Sequence, residues 1–218
     1  MKAAQPSLKQ RKREAILDAA VREFGTCGFD NTTMDRIAEV ANVSKRTVYN
    51  HFPSKEDLFK AIVDRLNARC GSGEDLPFDE QIPLERQLLE IGQRYAALIA
   101  SEDFKDLARV ILPRFLQSPT LSEQLVGDTT PIERSFIQWI QAAQRAGQLK
   151  QADPSLAARQ FLAMINAFVF WPQILSGKLP VARRQQAVIV QSAANLFLAH
   201  YAKVPSHDSI HLQIDSDG

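Results

Sequence analysis

The segment at residues 33–52, TMDRIAEVANVSKRTVYNHF, limits the possible folds of this chain more than any other. Apolar side chains recur at helical spacing on both sides of Asn42. Asn tolerates the left-handed backbone that a tight reversal requires, and Ser44 is a good cap for a helix that begins after it. We therefore predict two short helices joined by a tight turn, which is a helix-turn-helix. The apolar residues are Met34, Ile37 and Ala38 before the turn, and Val43 and Val48 after it.

The second of these predicted helices has a polar outer face. Only Val48 and Phe52 supply its apolar side, because its other side chains are hydrogen-bonding or cationic. Such a face fits the major groove of DNA, where the base edges present donors and acceptors. We expect contacts with bases or adjacent phosphates from Lys45, Arg46, Thr47, Tyr49 and Asn50. The candidate DNA-binding set is completed by Thr33, His51 and Lys55, which we expect to contact the phosphate backbone, and by the predicted cap Ser44.

A longer motif surrounds the predicted helix-turn-helix. A basic helix that ends in Phe24-Gly25 and Gly28-Phe29 precedes it, and the sequence FPSKEDLF follows at residues 52–59. Over roughly residues 10 to 65, this arrangement resembles the DNA-binding domain of the TetR family of bacterial transcriptional regulators. Asn42 and Arg46 stand where that family commonly has Gly. Asn42 can still form the turn, whereas Arg46 adds a side chain that can alter the choice of operator.

The resemblance carries expectations about function. It implies a ligand-responsive regulator, in most cases a repressor, which binds double-stranded DNA at a palindromic operator as a homodimer. It also implies that the last two long helices of each subunit form a four-helix bundle in the dimer. A small, largely apolar effector would bind among the C-terminal helices and release the DNA.

Composition agrees with a DNA-binding protein that has its own core. The chain has 218 residues, of which 45% are hydrophobic, so it can form two small domains or one medium one. Residues 1–52 carry nine Lys or Arg and six Asp or Glu, a balance of +3, and the rest carries 17 and 19, a balance of −2. A polyanion is therefore expected to bind the N-terminal part. Cys27 and Cys70 are too few for a disulfide framework or a metal site.

Membrane and secretory segments are not expected. The N-terminus lacks a continuous apolar stretch, and no apolar run reaches the roughly 18 residues that span a bilayer. We therefore expect a cytoplasmic protein with no membrane partner.

The fold class predicted by the periodicity is all-α. The resemblance further implies an N-terminal three-helix helix-turn-helix domain and a C-terminal helical domain for ligand binding and dimerisation. Residues 1–52 are assigned to an arm and the DNA-binding domain, extended by a connecting helix at 54–70. Residues 71–203 form the effector-binding and dimerisation domain, and 204–218 a disordered tail. Cations at the start of the first helix oppose its dipole, so we interpret them as phosphate contacts, with a solvated face as the alternative. These cations are Lys9, Arg11, Lys12 and Arg13.

Two C-terminal segments, 156–171 and 181–201, are apolar around most of their circumference. A helix of that kind must be buried on two sides, and in a domain of this size one side can face its own core while the other meets a second copy. Ala194 and Phe197 are the candidates for the dimer interface. An apolar ligand pocket is predicted among six aromatic residues, and filling of the core is the alternative for each of them. The six are Phe104, Phe115, Phe136, Trp139, Phe168 and Trp171.

Motifs of catalysis are not found in the sequence. It contains no Gly-rich phosphate loop, no Gly-x-Ser-x-Gly and no His-Glu-x-x-His. We therefore predict no catalytic residue, no cofactor and no metal site. Two alternatives to a ligand-controlled regulator stay open at this stage, a helical adaptor that binds only protein and a regulator that needs no effector.

Overall fold

A computed structural model of the protein describes residues 7–71, 77–126 and 129–203. The predicted all-α class is confirmed, since these residues form eleven helices and no strand, apart from one isolated bridge between Leu149 and Ala202. The helices are α1 Leu8–Cys27, α2 Met34–Val40, α3 Lys45–His51, α4 Lys55–Gly71, α5 Leu84–Ala100, α6 Glu102–Gln117, α7 Pro119–Val126, α8 Pro131–Arg145, α9 Pro154–Val169, α10 Trp171–Ser176 and α11 Arg183–Tyr201. The expected tail at 204–218 lies outside the described residues. In the described ranges, no helix is long and apolar enough to cross a membrane.

The N-terminal helices begin and end where local chemistry favours it. Ser7 and Gln10 form a capping box at the start of α1. Thr33 caps α2 by accepting a hydrogen bond from the Arg36 N–H, and Asn42 takes φ 53° in the turn before α3. The left-handed residue in the helix-turn-helix is therefore an Asn, the side chain that best tolerates this conformation after Gly.

The core of the N-terminal helices, hereafter the N-terminal core, extends into the rest of the chain. It is built by α1 to α4, with Ile16, Ile37, Val48 and Ile62 all fully buried. The same cluster includes Leu107, Val110 and Ile111 of α6, which packs against both α1 and α4. One helix outside residues 1–70 thus contributes directly to the core that supports the helix-turn-helix.

A second core lies between α5, α8, α9 and α11. Its largest side chains are the buried rings of Phe136, Trp139 and Phe197. Gly92 brings α5 close to α11, because a Cβ at this position would lie only 2.6 Å from Cγ1 of Val190. Helix α6 connects the two cores, and it continues through Pro113 to Gln117.

Candidate nucleic-acid interface

Helix α3 presents the polar face that the sequence predicts. Val48 and Phe52 are buried in the N-terminal core, so the opposite side of the helix is held outward. Ser44 caps α3: its Oγ accepts a hydrogen bond from the Thr47 N–H at 3.1 Å and lies 2.8 Å from the Thr47 hydroxyl oxygen. The exposed side chains of α3 are Lys45, Arg46, Tyr49 and Asn50, and Thr47 is half-buried.

The start of α1 lies beside α3. Residues from both helices line an open depression of about 440 Å³: Leu8, Lys9 and Lys12 from α1, and Thr47, Asn50 and His51 from α3. Arg13 lies over the ring of Phe52, with its Cζ 4.9 Å from the ring centroid. The structure thus joins the basic start of α1 and the polar face of α3 into one surface, hereafter the α1–α3 surface.

The pKa of His51 is affected by the positive charge of the α1–α3 surface. Burial is the main cause that lowers its pKa from the ordinary value of 6.5, and the charges of Lys9, Arg13 and Lys12 lower it further. His51 is therefore mostly neutral at pH 7 in the free protein. A phosphate placed nearby would favour its charged form.

Lys45 has an intramolecular partner on the other helix of the helix-turn-helix. Its Nζ donates to Oδ2 of Asp35 at 2.6 Å, and both side chains are exposed. This hydrogen bond is the main cause that raises the pKa of Lys45, with the charge of Asp35 second. Lys45 therefore carries its charge at the surface and can exchange Asp35 for a phosphate.

Thr33 and Lys55 occupy structural positions. The Thr33 hydroxyl accepts the N–H of Arg36 at 3.2 Å, as the cap of α2. Lys55 Nζ donates to the carbonyls of Phe29, Asp30 and Thr32 at 2.7, 3.2 and 3.1 Å. An ammonium group has three donors, so all of them are used inside the protein. The expectation that Lys55 binds a phosphate is corrected by these contacts, which hold the loop between α1 and α2.

The six aromatic residues predicted to line one pocket do not converge. Phe136 and Trp139 are stacked in the C-terminal core with ring centroids 5.8 Å apart, whereas Phe104 packs at the edge of that core against Phe170. Phe115 lies in the other core, edge-on to Phe59. Phe168 and Trp171 are exposed, by 60% and 41%. A single pocket is not formed by these rings, because they lie in two separate cores and at the surface.

Ala194 and Phe197 face inward in the subunit, which argues against the expectation that they lie at a dimer interface. They are 0% and 2% exposed and pack in the C-terminal core. The outward side of the same helices carries other apolar residues, which the sequence analysis did not select for the interface. Phe168 of α9 and Val188 and Leu196 of α11 are exposed, with half-buried Met164 beside them, and together they line an open depression of about 340 Å³. These four residues are hereafter the outer face of α9 and α11.

Polar groups are few inside the C-terminal core. Lys105 is buried, and its Nζ donates to Oε1 of Glu102 at 2.7 Å and to Oε1 of Gln173 at 2.9 Å. Trp139 donates its Nε1–H to Gln87 at 3.1 Å. No group of three or more His, Cys, Asp or Glu that could hold a metal ion occurs in the described part of the chain.

Two family models match the chain in the regions that form these elements. Residues 16–62 match the model described as bacterial regulatory proteins, tetR family, and residues 86–203 match the C-terminal domain of AefR-like transcriptional repressors. The second match alone covers more than half of the chain. The protein belongs to the TetR family. It is therefore a DNA-binding transcriptional regulator, and regulators of this family are generally ligand-responsive repressors.

Relatives of this TetR-family protein include solved structures. It is 40% identical to a TetR family transcriptional regulator from Pseudomonas syringae pv. tomato str. DC3000, with a TM-score of 0.79 over 90% of this chain and 100% of that one. It is 28% identical to the flavonoid-responsive regulator FrrA, with a TM-score of 0.69 over 88% of this chain and 97% of that one. It is also 27% identical to the uncharacterized HTH-type transcriptional regulator YhgD of Bacillus subtilis (strain 168), over 73% of this chain and 83% of that protein.

Proposed function

We propose that this TetR-family protein is a homodimeric repressor that binds a palindromic operator through the α1–α3 surface of each subunit. The observation that carries the proposal is the joining of the basic start of α1 to the exposed polar face of α3, beside a fully buried Val48 that fixes the orientation of α3. Side chains of α3 can reach base edges, while Lys9 and Lys12 can contact the adjacent phosphates.

The outer face of α9 and α11 supports the proposed homodimer. Its apolar residues follow helical spacing, since Met164 and Phe168 are four residues apart on α9 and Val188 and Leu196 are eight apart on α11. The two helices pack side by side. Two copies of such a face form a four-helix bundle, in which a two-fold axis places one α1–α3 surface on each side.

The proposed effector is small and largely apolar. Support comes from the family, and from FrrA, whose name describes a regulator that responds to flavonoids. A regulator without an effector is the second candidate. One observation favours it: the buried rings of Phe136 and Trp139 in the C-terminal core pack against each other and against Phe78 and Phe161.

Selection of bound sequences from a random duplex library tests the proposal. The expected operator is a near-palindrome with half-sites about one helical turn apart, roughly 34 to 36 Å, or a multiple of it. Arg46→Ala should change the preferred bases, whereas Arg22→Ala, towards the C-terminal end of α1 near α4 and α6, should select the wild-type sequence. Selected sequences without two-fold symmetry would refute the dimeric operator.

The selected operator then separates the two regulatory candidates. Release of this operator by members of a panel of small hydrophobic compounds, flavonoids included, would support effector control. If no compound released it, the regulator without an effector would be the correct candidate.

A further inference from the structure

Phe29, in the loop between α1 and α2, interacts with two cations. Nζ of Lys55 lies 4.5 Å from the centroid of its ring, and the guanidinium carbon of Arg114 lies 4.3 Å from it. The same ring packs against Phe24 at 5.1 Å and Phe59 at 5.6 Å. Both cation distances are within the range of an attractive cation–π contact.

Arg114 reaches this ring from α6, which is outside the DNA-binding helices. Its Nε is buried and has no hydrogen-bond partner among residues 7–71, 77–126 and 129–203. A buried N–H without a partner is unfavourable, so that donor does not explain the placement of the side chain. The contact that does explain it is the stacking of the guanidinium on Phe29.

The loop that Phe29 belongs to determines how α2 and α3 are presented. It ends at Thr33, the cap of α2, and α2 packs directly on α3. Within the loop, the Thr32 hydroxyl donates to the carbonyl of Gly28 at 2.8 Å, and Lys55 donates to the carbonyl of Thr32. Movement of Phe29 would therefore change the angle between α3 and the basic start of α1.

We propose that Arg114 is a positioning residue for DNA binding: through Phe29 it holds the α1–α2 loop, and with it α2 and α3, in the orientation that fits the duplex. The inference rests on the α1–α3 surface being the DNA-binding surface. Without the contact, the free protein would populate other orientations of the loop, and binding would be weakened by the fraction that is no longer competent. Arg114 itself does not touch DNA in this arrangement.

A double-mutant cycle on the wild-type operator tests the inference. Arg114→Met should weaken binding by roughly 3- to 30-fold, which corresponds to one cation–π contact. Phe29→Leu should weaken binding at least as much, because it removes the contact with Lys55 as well. The double variant should bind no more weakly than Phe29→Leu, since Phe29→Leu already lacks the contact that Arg114 makes. Arg114→Lys keeps a cation and should recover part of the affinity. The control is Arg109→Met on the same helix, where Arg109 pairs with Asp106 instead, and it should bind as the wild type does.

Two further measurements distinguish positioning from stability and from direct contact. Hydrogen exchange of the amides at residues 28–33 should accelerate in Arg114→Met and stay unchanged in Arg109→Met. The salt dependence of operator binding should keep its wild-type slope in Arg114→Met, because no phosphate contact is lost.

Several results would overturn the positioning role alone: wild-type affinity in Arg114→Met, losses that multiply in the double variant, or a salt slope lowered by about one phosphate. A wild-type protein that selected no duplex at all would instead overturn the proposed DNA-binding surface, and this inference with it.

Discussion

Lys45 of α3 and Asp35 of α2 form an exposed ion pair, with 2.6 Å between Nζ and Oδ2, across the two helices of the helix-turn-helix. The pair places a carboxylate next to a lysine on the proposed DNA-binding surface. A DNA phosphate that approaches Lys45 must compete with the Asp35 carboxylate for the ammonium group. The negative charge of Asp35 also repels the phosphate. The pair therefore lowers the affinity for any duplex, whatever its sequence.

Asp35→Asn should strengthen binding to operator and non-operator duplexes alike. We expect roughly a 3- to 10-fold gain at low salt, together with a steeper salt dependence, because Lys45 then becomes available to a phosphate. Asp106→Asn also removes one negative charge, but on α6, and it should leave binding unchanged. Titrations of both variants at several salt concentrations check this, and a gain confined to the operator would contradict it.

Substitution of Lys55 and of Lys12 should have different effects, because we expect Lys55 to stabilise the fold and Lys12 to contact DNA. Lys55→Met leaves three loop carbonyls without their donor, so we expect a loss of about 1 to 3 kcal/mol in the free energy of unfolding. Lys12→Met, at an exposed position of the α1–α3 surface, should instead preserve stability and lower the salt slope by about one phosphate. Denaturant unfolding and salt titrations measure the two effects, and a reversed pattern would restore the original expectation for Lys55.

The helix-turn-helix could be predicted because its determinants are local. Thr33 and Ser44 cap helices that begin at the next residue, and Asn42 tolerates the positive φ of the turn between them. Each of these features depends on the backbone within a few residues. Lys55 is different, since its partners are carbonyls 23 to 26 residues earlier in the chain. Helical periodicity carries no information about such a contact.

The faces of α9 and α11 could not be assigned for a related reason. A helix that is apolar on all sides has no single apolar stripe, so its sequence does not indicate which side faces the core. That side is determined by the close approach of α5 at Gly92, which places Val190 inside, and Ala194 and Phe197 with it. Phe115 likewise lies on the face of α6 that packs on the N-terminal core, and not on the face towards the C-terminal core.

Leu196→Asp should convert the proposed dimer into monomers. Leu196 is 59% exposed in the isolated subunit, so the subunit itself tolerates a carboxylate there, whereas burial of an unpaired charge in the bundle would cost several kcal/mol. Sedimentation at micromolar concentration should show a monomer, and operator affinity should fall because the two half-sites are no longer linked. Leu116→Asp is the matched control, at an exposed position of α6, and it should stay dimeric.

Phe197→Ala should destabilise the subunit, whereas Phe168→Ala should destabilise the proposed dimer. Phe197 is surrounded by the rings of Phe136, Phe161 and Tyr201, and its truncation should lower the free energy of unfolding by about 3 to 5 kcal/mol. Phe168 is exposed in the subunit, so its truncation should weaken the dimer and leave the subunit core intact. Thermal unfolding over a range of protein concentrations separates the effects. A large loss for Phe168→Ala that does not depend on concentration would contradict the outer face as the interface.

His51 should make operator binding dependent on pH. Its pKa in the free protein is below 6.5, so the imidazole is mostly neutral at pH 7 before DNA binds. A phosphate close to His51 in the complex would raise this pKa. The complex then binds more protons than the free protein, and affinity should rise as the pH falls from about 8 to about 6. The effect on folding has the opposite sign: the stability that neutral His51 contributes is present above 6.5 and is lost as the pH falls through the lower pKa of the folded state. In His51→Gln the contribution of this residue to the pH dependence of binding should disappear. Equal pH profiles for the wild type and His51→Gln would show that no phosphate comes near this imidazole.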